Sequence, residues 1–165
     1  WVTIFDERNE VIETGGGILK AAPYFEDDDD FVVMNVDVLT NLNLAALIAE
    51  HKTKKNFATL ALMQRSSSRN LLFDEEMMLC GWRNNNTHEE KIAREKTNLK
   101  GFAFSGIQVL SKDVLAMPFQ GKFSMIDVYL HFAKTNTIKG FDHTGNIFID
   151  VGKPESLEQA AFLFE

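Results

Sequence analysis

Two aspartates each close a short apolar run. Phe31-Val32-Val33-Met34-Asn35-Val36 leads into Asp37, and Ile147-Phe148-Ile149 leads into Asp150. Four consecutive apolar residues rich in β-branched types, as at 31–34, read as a strand buried on both faces, the pattern of a parallel sheet. Ligands of open parallel sheets collect beyond the carboxyl ends of the strands. A carboxylate there can hold a hard cation such as Mg²⁺ against phosphates, and two converging carboxylates form a divalent site suited to phosphoryl chemistry. The blander role for Asn35 and Asp37 is a turn and a cap for the next helix, which accounts for most Asn and Asp residues at such places.

Other polar clusters carry weaker signals. Gly15-Gly16-Gly17 precede a short helix expected over 18–24. A Gly-rich turn opening a helix lets backbone N–H groups approach a nucleotide, although three glycines serve any tight turn. Arg65 and Arg69 bracket three serines; both suit phosphate, but a solvated loop is expected. The acidic run 26–30 lacks the alternating ligands and central glycine of a calcium loop. His51, on a helix expected over 44–54 behind an Asn43 cap, reads as a surface or interface histidine, and His131 as structural or surface. His88 has no metal-ligand spacing around it.

The remaining elements frame these residues. Residues 1–6 and 58–63 read as strands, and 71–73 with 77–80 as a hairpin around Asp74-Glu75-Glu76. The stretch 84–96 shows no apolar face and reads as a loop or exposed helix. A long strand over 99–109 contains Gly101 and Gly106, which mark a bulge or a close approach. Ser124 opens a helix reaching Lys134; 138–143 and 146–150 read as a hairpin around Thr144-Gly145, and a last helix runs over 155–164 behind Pro154. The pattern is mixed α/β, with a mostly parallel sheet and an antiparallel edge.

At 165 residues the chain suits one domain with a real core. A net charge of −7 without a basic cluster disfavours nucleic acid. One cysteine, Cys80, excludes an internal disulfide and suits a reducing compartment, so a cytoplasmic setting is expected. No apolar run approaches the ~20 residues of a membrane helix. The chain opens at Trp1, inside a strand-like run and without Met, so an N-terminal part is expected to be missing.

Four segments together resemble the sugar-1-phosphate nucleotidyltransferases: Glu13-Thr14-Gly15-Gly16-Gly17-Ile18, Asn35-Val36-Asp37-Val38, Phe104-Ser105-Gly106-Ile107 and Ile149-Asp150-Val151-Gly152-Lys153-Pro154. They occur in family order, and the nearest branch looks like the mannose-1-phosphate guanylyltransferases and N-acetylmuramate-1-phosphate uridylyltransferases. The resemblance implies a Rossmann-like three-layer sandwich of the glycosyltransferase-A kind, lacking its first βα units, with residues 1–165 as the C-terminal part of a single domain. It implies transfer of a nucleotidyl group from a nucleoside triphosphate to a sugar 1-phosphate, with release of pyrophosphate and with Mg²⁺. By the same resemblance Asp37 and Asp150 are the metal carboxylates. Thr14, Gly15, Gly16 and Asn35 lie at the nucleotide, and Gly106 and Glu13 at the sugar. Val36 stands where the family usually has Gly, and Phe104 where several branches have Asn. The family's N-terminal Gly-x-Gly-Thr-Arg-Leu loop and following Lys do not occur in this chain, which resembles a domain begun two βα units late, roughly sixty residues at about thirty per unit. Activity is therefore expected to need that loop. The alternatives are an inactive nucleotide-sugar-binding or regulatory domain and, below it, a glycosyltransferase of the same fold. An uncovered sheet edge would favour a homodimer.

Overall fold

The computed structural model describes residues 2–8, 10–25, 29–152 and 154–163. Helix α1 (Glu13–Ala21) runs into a 3-10 turn (Ala22–Tyr24), then β1 (Asp30–Met34), β2 (Val38–Thr40) and α2 (Leu44–Lys54). Strands β3 (Ala58–Met63), β4 (Arg69–Phe73), β5 (Leu79–Asn84), β6 (Glu90–Ile92) and β7 (Lys100–Ser111) follow. A 3-10 helix (Lys112–Ala116), α3 (Met125–Phe132), β8 (Ile138–Asp142), β9 (Phe148–Asp150) and α4 (Pro154–Leu163) complete the order.

Strand β7 is the axis of the main sheet, which runs β6-β5-β4-β7-β3-β8 with β1 also on β7. β4 pairs with the start of β7, Leu71 opposite Phe102, and β1 with its end, Met34 opposite Ile107. Strands β2 and β9 form a separate two-stranded sheet, Val38 opposite Asp150. All six residues of β3 are buried, because both faces of the sheet are covered. On one side Leu60, Leu62, Phe102 and Leu110 pack with Ile18 of α1 and Val128 and Tyr129 of α3. On the other, Ala61, Ile107 and Val109 pack with Leu47 of α2 and Val38 of β2. This is the expected three-layer α/β class.

The expected balance of strand directions is corrected. Among the described pairs β3–β8 is parallel and the others are antiparallel. The chain turns back through short connections at 74–78 and 85–89, and short connections can join only antiparallel neighbours. β1 is likewise not buried on both faces: Val32 and Met34 are 38% and 47% exposed.

Other local expectations fare unequally. The Asn43 cap is present, its Oδ1 accepting the Ala46 N–H at 3.0 Å. The hairpin β4–β5 forms, and Ser124 Oγ accepts the Ile126 N–H at 3.2 Å to open α3, which ends at Phe132. Residues 2–6 form no strand, and Trp1 lies outside the described residues. The stretch 84–96 contains β6, paired with β5. Segments 138–142 and 148–150 do not pair with each other; β8 joins β3 and β9 joins β2. His51 is buried, at 1% exposure, because it follows Leu47 by one helical turn on the face of α2 that meets the sheet. Its Nδ1 lies 2.9 Å from Thr59 Oγ1 and its Nε2 3.2 Å from Asp30 Oδ1.

Candidate active site

The site begins where β1 leaves the sheet. The Asn35 N–H donates to the Gly106 carbonyl at 2.8 Å, and the Val38 N–H to the Asn35 carbonyl at 3.3 Å, closing a tight turn. Val36 at its tip is 100% exposed, so a side chain in place of the family's glycine neither enters the sheet nor meets core. The turn delivers Asp37 to the head of β2. On the partner strand the Val151 N–H donates to the Asp37 carbonyl at 2.8 Å, and the Gly152 N–H to Asp150 Oδ1 at 3.0 Å.

These bonds bring the two aspartates together. A Cβ placed on Gly152 would lie 3.1 Å from Asp37 Oδ2 and 3.1 Å from Asp150 Oδ1. Two carboxylates thus face one small volume that a glycine keeps clear. Like charges so placed favour a cation between them. No group of three or more His, Cys, Asp or Glu side chains suited to a metal occurs among the described residues. Two hard oxygen donors nevertheless fit Mg²⁺, which is commonly bound by one or two carboxylates with substrate phosphates and water in the other positions.

Gly106 sits at a bulge. Its φ is +72°, and the register of β3 against β7 shifts between Leu60 and Leu62 there. A Cβ at Gly106 would lie 2.7 Å from Asn35 Nδ2, so the close approach is made by Asn35 itself. The glycines of α1 differ from expectation more. They lie inside the helix, not in a turn before it. A Cβ on Gly15 would lie 2.4 Å from the Phe123 ring, and one on Gly16 2.5 Å from the Gly121 carbonyl oxygen. Both glycines are buried and let α1 close on residues 121–123. Thr14 stays exposed, and Glu13 adopts φ +60° with an oxygen 3.9 Å from Lys122 Nζ. Both line a groove of about 630 Å³ beside Val32, Val33 and Met34 of β1. Glu13 and Gly106, the two sugar candidates, therefore have different neighbours.

Three more side chains join this end of the sheet: Ser105 and His143, which the sequence reading assigned no role, and Arg65, which it weighed for phosphate but expected to be solvated. Ser105 Oγ and His143 Nε2 are 2.8 Å apart and buried, and His143 Nδ1 has no partner among the described residues. Burial pushes the His143 imidazole below its usual range; Asp142 works against that shift and Arg65 adds to it. Arg65 stacks on Phe148, its Cζ 4.6 Å from the ring centroid. The sequence signal for His143 was its place in the turn before Asp150. For Arg65 it was the position just beyond a fully buried strand.

A mixed sheet covered on both faces, with two carboxylates converging beside it on the β2–β9 pair, defines the class as a layered α/β domain. No family model matches the chain. It is 31% identical over 147 residues to a probable glucose-1-phosphate cytidylyltransferase of Bacillus subtilis (strain 168), covering 88% of this chain and 53% of that protein. It superposes on HddC from Yersinia pseudotuberculosis with a TM-score of 0.71 and 25% identity, over 96% of this chain and 65% of that one. A UDP-glucose pyrophosphorylase from Acinetobacter shares the fold, with a TM-score of 0.73 at 14% identity over 94% of this chain and 57% of that one. In sequence and in fold the chain is similar to sugar-1-phosphate nucleotidyltransferases. It spans about half the length of the curated relative. Among the described residues no helix is long and apolar enough to cross a membrane.

Proposed function

We propose that the whole protein transfers a nucleotidyl group from a nucleoside triphosphate to a sugar 1-phosphate, with Asp37 and Asp150 holding Mg²⁺. The observation that carries this reading is the pair of carboxylate oxygens, each 3.1 Å from one point above Gly152. An oxygen of the sugar phosphate attacks the α-phosphorus; the bond to the β-phosphate oxygen breaks, and pyrophosphate leaves. Bound Mg²⁺ would supply neutralisation of the phosphate charge, often the largest part of catalysis in such transfers. The chain's own residues contribute position. Asp37 and Asp150 are fixed by the β2–β9 ladder, and Asn35 is seated on Gly106. Thr14, at the exposed start of α1, is the side chain offered to the nucleotide, whereas Gly15 and Gly16 act by letting α1 pack closely. The HddC structure solved with GMP-PN supports a nucleotide-binding reading of this fold. A second copy of the chain is proposed to cover the outer edge of β1, where Val32 and Met34 are exposed.

The test is pyrophosphate release by the full-length protein from each nucleoside triphosphate with hexose 1-phosphates and Mg²⁺. Asp37→Asn and Asp150→Asn should each lower turnover by at least a hundredfold while the protein stays folded. Undiminished release by either folded variant refutes the assignment. Folded protein that binds nucleotide sugar without turnover would favour a binding domain.

A further inference from the structure

Arg65 leaves β3 in a loop whose sequence reads as solvated, yet its guanidinium is held in place. It stacks on Phe148 at 4.6 Å, and Nη2–H donates to the Phe104 carbonyl at 3.3 Å. Phe148 and Asp150 stand two apart on β9 and so point to one face, which puts Arg65 on the Asp150 side of the strand. Burial lowers the guanidinium pKa, and the Asp150 charge works against that shift. Among the described residues Arg65 forms no ion pair. Arg65 nevertheless stays exposed to solvent, so its cation is open to an anionic ligand.

The same side chain lines a cavity of about 590 Å³ with Gln64, Ser66, Lys100, Gly101 and Phe102. That lining carries two cations and no carboxylate, in a chain of net charge −7. Its size falls in the range of small-ligand sites.

We infer that Arg65 grips the phosphate of the phosphorylated sugar, with Lys100 as a second cation in the same cavity. The inference rests on the nucleotidyltransferase reading of Asp37 and Asp150. The planar guanidinium matches a phosphomonoester through paired hydrogen bonds, a geometry that lysine does not reproduce. Its place over the Phe148 ring and its bond to the Phe104 carbonyl restrict it before the ligand arrives and so reduce the ordering cost of binding. A phosphomonoester carries about −1.5 to −2 charge at pH 7, which opposes its approach to another phosphate. Arg65 relieves that repulsion from the sugar side.

The experiment is calorimetric titration of the full-length protein with inorganic phosphate and with a hexose 1-phosphate, nucleotide absent, alongside steady-state kinetics. Arg65→Ala should weaken both ligands roughly tenfold to a hundredfold, the range for hydrogen bonds to charged groups. Arg65→Lys should recover part of the loss, and Lys100→Ala should cost less than Arg65→Ala. In turnover, KM for the sugar phosphate should rise while KM for the nucleotide stays put, a split that a merely structural stack on Phe148 would not produce. If Arg65→Ala fails to fold, Arg65→Lys carries the same comparison. A folded Arg65 variant with wild-type phosphate affinity overturns the inference. Arg65-dependent phosphate binding in a wild-type protein that transfers no nucleotide keeps Arg65 as the phosphate ligand and refutes the nucleotidyltransferase reading instead.

Discussion

Gly152→Ala separates the function of the carboxylate pair from the stability of the fold. The position is exposed and its φ lies outside the left-handed region, so the backbone accepts alanine. A glycine replaced at a compatible φ/ψ gains about 0.4–1 kcal/mol of stability through the unfolded chain. The added methyl, however, lies 3.1 Å from Asp37 Oδ2 and 3.1 Å from Asp150 Oδ1, tighter than ordinary contact, so each oxygen must retreat by a few tenths of an ångström. Ligand distances in metal sites are held to about ±0.2 Å, and Mg²⁺ demands near-ideal octahedral geometry. Disturbing the support of a metal ligand typically costs tenfold to a hundredfold in affinity or activity. The expected variant therefore melts at or slightly above the wild-type temperature, yet needs at least tenfold more Mg²⁺ for half-maximal pyrophosphate release. Magnesium titration of that release, with a thermal melt beside it, reads both quantities. A Gly152→Ala protein with wild-type magnesium dependence and turnover would show that the space between the carboxylates is not used, and the metal assignment would fall.

Gly106→Ala combines a left-handed φ of +72° with a methyl 2.7 Å from Asn35 Nδ2 and should cost about 1–3 kcal/mol in urea unfolding. A cost near zero would deny the strain. The glycines of α1 should separate by sign. Gly15→Ala drives its methyl to 2.4 Å from the Phe123 ring and 2.8 Å from the Phe123 carbonyl oxygen, and should destabilise by about 1–3 kcal/mol. Gly17→Ala meets only the movable end of Glu7 at 3.3 Å and should gain about 0.5–1 kcal/mol from helix propensity. Equal effects at the two positions would mean that α1 does not close on residues 121–123. Stability should also fall with acid through two histidines. Burial lowers the pKa of His51 against the opposing pull of Asp30, and of His143 against that of Asp142, so both folded values lie below the ordinary 6.5. The unfolded chain then takes up protons first, and stability present above about pH 6.5 is lost as pH falls from there through the folded values. Denaturant midpoints between pH 8 and pH 5 should show this slope, and His51→Gln should flatten it; an unchanged slope would exclude His51 as a source.

What the sequence revealed was mostly local chemistry. The Asn43 cap, the apolar run of β3 and the hairpin around Asp74 are set by neighbours in the chain, and all are found. The Gly106 bulge and Asp150 at the end of β9 were legible for the same reason, whereas Asp37 follows a turn and stands before β2. What misled were features with a local and a distant explanation. Three glycines suggest a turn because glycine weakens helices, but here the close approach of Phe123 and Gly121 decides, and the glycines stay helical. The turn after β8 is tight, the Asn146 N–H donating to the His143 carbonyl at 3.0 Å, yet the strands it joins find partners elsewhere. His51 was misjudged although its spacing from Leu47 pointed inward. Arg65 had no such cue, since its stacking partner Phe148 is remote in sequence.

The carboxylate pair depends on a ladder of only three residue pairs, and an isolated two-stranded sheet is marginal in water. Bonds beyond the ladder make up the difference. Thr40 Oγ1–H donates to the Ile147 carbonyl at 2.6 Å, and Asn41 Oδ1 accepts the Ile147 N–H at 2.8 Å. At the other end the Val151 N–H reaches the Asp37 carbonyl at 2.8 Å. Core packing supplies the register: Val38 and Phe148, on one face, join the cluster around Leu47 and Ile107, while Ile149 is buried on the opposite face. Sliding β9 by one residue would exchange those faces, carrying Asp150 away from Arg65 and into the place of buried Ile149. Burying that carboxylate without a partner would cost several kcal/mol, far more than the slip could recover from three rungs. The apolar neighbours thus hold the two charges at a separation that their own repulsion would widen, leaving the space above Gly152 ready for a cation.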